Sequence, residues 1–202
     1  MSLGLALVLA YLLGGIPFAV IAGRLRGIDV LRAGSGNPGA TNAIRLLGPA
    51  VGIPVLLADA GKGLAGVLLC GRIAGGSEGA GLACGAAAIL GHVFPLALRF
   101  KGGKGVATAA GVFLAVAPAA TGIAVGFFVV VLLAFRYVSA ASMAAAIALP
   151  VALNALGASR LVLAVGGVVA LLVLVRHRAN LGRLLAGTES RVRFGSRNGA
   201  AS

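Results

Sequence analysis

The strongest constraint on this chain is an uncharged run at its start. Residues 3–23 read LGLALVLAYLLGGIPFAVIAG, without one Asp, Glu, Lys or Arg. As a helix rising 1.5 Å per residue the run is about 30 Å long, the thickness of a bilayer's hydrocarbon core. It is longer than the apolar core of a signal peptide, and no small-residue cleavage site clearly follows it, so it is expected to remain as a helix. Further apolar runs lie at 51–71, 80–98, 106–118, 120–135, 138–156 and 161–175. The chain is 60% hydrophobic and 10% charged. A soluble domain carries about a quarter charged residues, so a water-soluble class is excluded.

Charge sets the expected topology. The loop with Arg24, Arg26, Arg32 and Arg45, the loop at 99–104, Arg136 and the tail from Arg176 hold every Lys and Arg except Lys62, Arg72 and Arg160. Cations gather on the cytoplasmic side of membrane proteins, so these segments are expected there together. The opposite loops, 72–79 and 157–160, are short. For Lys104 and Arg136 to share a side, the chain between them must cross twice. That makes 106–135 a hairpin turning near Pro118, with two short helices. At roughly 22 Å each they fall short of the ~30 Å core, a mismatch that shielding by neighbours or local thinning of the bilayer accommodates.

The expectation is an all-α integral membrane protein of about seven transmembrane helices, some of them short, with the N-terminus outside and the C-terminus in the cytoplasm. Residues 1–193 are read as one helical domain and 194–202 as a flexible cytoplasmic tail. Pro17, Pro54, Pro95, Pro118 and Pro150 fall within or at the ends of spans, where they kink or end helices. Cys70 and Cys84 flank an outer loop and are read as two isolated buried thiols, a disulfide being the alternative.

The net charge of +13 fits orientation in the membrane and also fits attraction of an anion. Nucleic acid is a poor partner, because the basic residues sit in short loops between spans. The non-apolar sequence instead concentrates in three segments on the basic side. The first is RAGSGNPGATNAIRLLG at 32–48, the second GHVFPLALRFKGGKGVAT at 91–108, the third RHRANLGRLLAGTES at 176–190.

In the second segment Gly102, Gly103 and Gly105 leave backbone N–H groups open to close approach, with Lys104 as a point charge among them. A phosphate cradle and a structural hinge are both consistent with that composition. A Walker A loop is not, because Gly105 stands where Ser or Thr is needed. The first segment offers Ser35, Gly36, Asn37, Thr41, Asn42 and Arg45. Its small polar residues suit turns and caps as well as ligand contacts, and Pro38-Gly39 marks a turn. Arg45 suits bidentate pairing with phosphate, or an interfacial cation that fixes topology. In the third, His177 and Asn180 stand at i and i+3 on one helical face. His177 is read as a base or anion donor, or as a solvated helix-end residue. His92 is read as packing, and Glu189 as the partner of a nearby Arg.

Only Asp29, Asp59, Glu78 and Glu189 are acidic. Paired-carboxylate hydrolysis and carboxylate metal sites have little to work with, so neither metal nor cofactor is expected. Asp59 and Lys62, at i and i+3 inside a span, are expected to neutralise each other. A cationic, donor-rich pocket with so little carboxylate suits a phosphorylated ligand.

The three segments resemble the signature blocks of the PlsY family, the bacterial acyl-phosphate:glycerol-3-phosphate acyltransferases. The blocks stand in the right order and the resemblance covers essentially the whole chain; RYVSAASMAAA at 136–146 and ADAGKG around Asp59 and Lys62 also look like the family. The tail after Arg193 is the least family-like part. The resemblance implies a seven-helix bacterial inner-membrane enzyme with its site facing the cytoplasm. It implies transfer of a fatty acyl group from acyl phosphate to the 1-hydroxyl of glycerol 3-phosphate, giving lysophosphatidic acid and phosphate, the first acylation of phospholipid synthesis. By motif position Ser35, Arg45, Lys104, His177 and Asn180 carry the site, with Ser142 nearby. The family uses neither acyl-CoA nor acyl carrier protein directly; the missing His-x4-Asp motif agrees, since Ala97 and Gly182 stand five residues after His92 and His177. The hydroxyl proton goes to His177 or to a donor phosphate oxygen, with the phosphate favoured because no carboxylate is visible to orient His177. The rival from another class is an anion transporter with the same cationic site, which needs polar residues continuing to the outer face.

Overall fold

A computed structural model describes residues 2–192, and no strand occurs among them. The expected tail at 194–202 lies outside the described residues. Every apolar run becomes helix. The first is split into α1 (Leu3–Gly14) and α2 (Phe18–Arg24) at Pro17, which has no N–H to continue the ladder. After α3 (Ala40–Leu47) comes α4 (Pro49–Ala65), which continues through a π-helical turn, Gly66–Cys70, into α5 (Gly71–Ile73). The remaining α-helices are α6 (Glu78–Val93), followed by a 3-10 turn at Leu96–Leu98, α7 (Val106–Val116), α8 (Pro118–Phe135), α9 (Val138–Ala155), α10 (Arg160–Arg176) and α11 (Arg178–Leu185).

Among the described residues five segments are long and apolar enough to cross a membrane, and α10 with α11, bent by 53°, make a sixth if they count as one broken span. The expected hairpin departs from its reading in one respect. Its first helix, α7, is short at 11 residues, but α8 has 18. Pro118 opens α8 at the first helical position, where a missing N–H costs nothing, and so lengthens the second helix instead of only ending the first. A seventh crossing rests on α7 alone.

This short apolar helix is enclosed by its neighbours along one face. Thr108, Val112 and Phe113 of α7 have no exposed surface, and Val112 and Phe113 pack with Leu82, Ile89 and Leu153 in the main core. α4 and α7 approach backbone to backbone. A Cβ on Gly63 would stand 2.1 Å from the Thr108 carbonyl oxygen, and one on Gly111 1.9 Å from that of Ala60. Small residues permit such contact where no water drives helices together. On α8, by contrast, Phe127, Val130, Leu133 and Phe135 are exposed, as a lipid-facing surface requires.

The helix ends sort the loops as the charges do. α6 and α10 both begin where Ser159 Oγ donates to Glu78 Oε2 at 3.0 Å, joining the two short loops. Both finish where Arg176 donates to the Gly102 carbonyl at 3.0 Å. Around that second end Val192 N donates to the Arg136 carbonyl and Arg191 Nε to the Tyr137 hydroxyl. The basic segments are thus brought together at one end of the bundle. Cys70 and Cys84 are buried free thiols, and Asp59 and Lys62 pair at 2.8 Å, both as expected.

Candidate active site

The first polar segment is held in shape by one side chain. Asn42, on α3, accepts from Ser35 N at 3.0 Å and donates to the carbonyls of Val30 and Ala33 at 3.1 and 3.2 Å. Its amide is therefore committed to the chain, and 2% exposure leaves it no open face. Among the expected ligand contacts, Asn42 is a loop staple. Gly34 and Gly36, at φ 62° and 67°, turn the backbone so that Ser35, Gly36, Asn37 and Pro38 form one wall of a cleft of about 260 Å³. The other wall is Phe100, Lys101, Gly102 and Arg176. Thr41 and Arg45 lie exposed on α3.

Gly102 and Gly103 of the second segment do something different from offering open amides. Gly102 N donates to the Val93 carbonyl and Gly103 N to that of His92, both at 3.1 Å. What glycine supplies is room: a Cβ on Gly102 would fall 2.1 Å from the His92 carbonyl oxygen, and one on Gly103 2.2 Å from His92 Nε2. The loop lies flat on the end of α6, and its Gly102 and Gly103 carbonyls accept from Arg176 at 3.0 and 3.2 Å. Gly105, at φ 83°, then turns the chain into α7. The donors left to meet an anion include the Lys104 ammonium, the Gly105 N–H and the first turn of α7.

The third segment supplies the partners. The break between α10 and α11 falls at His177, which is 2% exposed, so the solvated reading of this residue fails. His177 Nδ1 lies 2.8 Å from the Val173 carbonyl. A carbonyl only accepts, so Nδ1 carries the proton and Nε2 keeps a lone pair. One turn on, Asn180 accepts from Lys104 Nζ and donates to Glu189 Oε1 at 2.6 Å. Glu189 also accepts from Ser139 Oγ at 2.7 Å and pairs with Arg183 at 2.7 Å. Ser142 is buried on α9, three positions on from Ser139.

The charges on these segments lie close enough to shift one another. Burial holds the Lys104 pKa down at about 8; Glu189 pulls the other way, and the positive charges of Arg183, Arg176 and Arg45 add to the lowering. Burial and the Lys104 charge push His177 down to about 4, so this histidine is neutral at physiological pH. Burial tends to raise the Glu189 carboxyl, but hydrogen bonds from Asn180, Ser139 and Arg183 more than compensate and hold it below the ordinary range.

Sequence reasoning left three contributors off the site. Arg176 spans the Gly102–Gly103 carbonyls, stacks 5.7 Å from the Phe94 ring, and keeps a buried Nε without a partner among the described residues. It stands next to His177 in the third segment, so its position was a signal. Glu189, expected to pair with an arginine and doing so, also anchors Asn180. Ser139 sits in an alanine-rich helix whose pattern gives no hint of it.

The chain has known relatives. The family model described as Glycerol-3-phosphate acyltransferase matches residues 4–187. A glycerol-3-phosphate acyltransferase of Desulfotalea psychrophila is 45% identical over 184 residues, covering 90% of this chain and 93% of the relative. One of Trichlorobacter lovleyi is 46% identical over 182 residues, with the same coverage. A crystal structure of PlsY, an integral membrane glycerol 3-phosphate acyltransferase, in its glycerol 3-phosphate form superposes with a TM-score of 0.90 at 39% identity over 96% of both chains. Its lysophosphatidic acid form gives 0.87. A helical membrane bundle with a cationic pocket at one end, matched along nine-tenths of its length, belongs to the glycerol-3-phosphate acyltransferase family.

Proposed function

We propose that this chain transfers a fatty acyl group from acyl phosphate to the 1-hydroxyl of glycerol 3-phosphate, releasing lysophosphatidic acid and phosphate. The observation that carries the reading is the setting of Lys104. It is a half-buried ammonium held by Asn180 amid the charges of Arg45, Arg176 and Arg183. Such a site neutralises phosphate in a place with little competing water. The named relatives and the two ligand forms of PlsY support the substrate and product.

The chemistry asks little beyond positioning and charge. The hydroxyl oxygen attacks the acyl carbonyl carbon, and the tetrahedral oxyanion collapses as the bond from carbon to phosphate oxygen breaks. Lys104, Arg45, Arg176 and the first turn of α7 stabilise the charge on the departing phosphate. Ser35 and Asn37, on the facing wall of the cleft, orient glycerol 3-phosphate, and Ser142 contributes from α9. The hydroxyl proton passes to a phosphate oxygen of the donor. A histidine of pKa about 4 is a weaker base than a phosphate dianion, whose conjugate acid has a pKa near 6. His177 therefore orients the hydroxyl through Nε2. His177→Gln, which keeps a hydrogen-bonding group there, is expected to retain turnover within about tenfold of the parent. A true general base would cost 10²–10⁴-fold, roughly.

The pH profile carries a second expectation. In the free enzyme Lys104 is charged below about pH 8 and neutral above it. Activity that needs the cation is present below that pH and lost above, so kcat/KM for glycerol 3-phosphate falls about tenfold per unit beyond pH ~8. Lys104→Arg, charged at every accessible pH, has no such limb. His177, neutral well below pH 7, contributes no limb near pH 6.5.

The same reading puts the basic loops on the cytoplasmic face of a bacterial plasma membrane, with α7 as a seventh crossing and the N-terminus outside. Purified protein given palmitoyl phosphate and labelled glycerol 3-phosphate should form labelled lysophosphatidic acid with release of phosphate. Entry of glycerol 3-phosphate into sealed vesicles without conversion would overturn the reading in favour of a transporter.

A further inference from the structure

Beneath the glycine loop lies a second polar cluster that the chemistry above leaves unused. Asp59 and Lys62 of α4 and His92 of α6 are 2%, 4% and 8% exposed. Lys62 Nζ stands 2.8 Å from Asp59 Oδ1 and donates to the Ile16 carbonyl at 3.0 Å, at the break between α1 and α2. His92 Nδ1 is 3.6 Å from the same Asp59 oxygen. A water-sized cavity of about 10 Å³ beside them is lined by Lys62, His92, Gly102, Gly103 and Pro38, among others.

Burying an ion pair in a membrane helix gives little net stability, and such groups are kept where they serve a site. The geometry assigns that service here. We propose that His92, oriented by the Asp59–Lys62 pair, is a positioning residue that sets the height of the Gly102–Lys104 loop over the site; this rests on the phosphate-binding reading of Lys104. His92 grips the loop in two ways. Its carbonyl accepts from Gly103 N at 3.1 Å, and its ring fills the space where a Gly103 side chain would stand. Pro38 reaches both the small cavity and the substrate cleft, so the first polar segment rests on the same support. Through Ile16, α4, α6 and the loop, one buried charge pair ties four parts of the chain to the place where Lys104 leaves for the site.

The test is kinetic and uses full-length protein in detergent. Wild type is assayed first with palmitoyl phosphate and glycerol 3-phosphate. Absence of turnover there would overturn the acyl-transfer reading, and positioning is then read from glycerol 3-phosphate binding by calorimetry, with the same variants. His92→Ala is expected to raise KM for glycerol 3-phosphate, or weaken its binding, about tenfold or more, with the melting temperature near that of wild type. His92→Gln, which can still reach the carboxylate and fill the space, should recover most of that loss. Gly103→Ala should lose activity, and adding His92→Ala should restore part of it, since the ring that the new methyl strikes is gone. The paired change Asp59→Asn with Lys62→Met, which leaves no uncompensated charge, should reproduce the His92→Ala defect. Unchanged KM or binding in His92→Ala, or a defect seen only as lowered melting temperature and not rescued by Gln, would overturn the proposal.

Discussion

Replacing Lys104 with methionine is expected to lower kcat/KM for glycerol 3-phosphate by about 10²–10³-fold, the size of effect that follows loss of one preorganised charge-stabilising donor. Methionine keeps the length and apolar stem of the side chain, so the change removes a charge and little volume. The rest of the network survives it. Asn180 keeps its bond to Glu189, and Glu189 keeps Ser139 and Arg183, so no buried carboxylate is left alone. The melting temperature should therefore stay close to wild type while turnover collapses. Relief of repulsion from Arg45, Arg176 and Arg183 works in the same direction for folding. A folded Lys104→Met protein within about tenfold of parental kcat/KM would sink the phosphate-cradle assignment. Lys104→Arg should fall between the two, because it keeps the charge but replaces a compact ammonium with a planar fork.

What the sequence makes legible here is periodicity and charge. The apolar runs become helices, and the segments with Arg45, Lys104, Arg136 and Arg176 meet at one end, as the uneven placement of cations implies. Other features depend on distances along the chain that no local pattern encodes. Ser139 and Glu189 are 50 positions apart and Lys104 and Asn180 are 76, so their contacts appear only once the bundle is assembled. Gly102 and Gly103 are instructive in another way. A glycine advertises a missing Cβ without saying what occupies the space. Open amides and close packing leave the same mark, and the second is what His92 and Pro95 use. His177 looked like a helix-end residue because the apolar run ends at Val175. In the structure it stands at the 53° bend between α10 and α11 with its ring buried.

The same close packing makes a large effect predictable far from the site. Gly111→Ala is expected to lower the melting temperature by about 5 °C or more, in line with the roughly 1–3 kcal/mol that an overpacked core position costs. The added methyl would stand 1.9 Å from the Ala60 carbonyl oxygen, 2.7 Å from its carbon and 3.0 Å from Leu64 N. All three are backbone atoms of a helix, so no side chain can rotate aside. α4 and α7 must separate instead. That movement reaches the chemistry, because α7 begins immediately after Lys104 and Gly105, while α4 carries the Asp59–Lys62 pair. Activity should fall further than the loss of folded protein explains. Gly122→Ala on α8, where a new methyl meets nothing within 4 Å, is the matched control. It should be neutral or slightly stabilising, since alanine is the better helix former by about 1 kcal/mol. Thermal melting of both variants in one detergent, with acyl transfer measured per folded molecule, separates the cases. Equal melting temperatures for Gly111→Ala and Gly122→Ala would show that the α4–α7 contact is not the rigid seam on which the position of Lys104 depends.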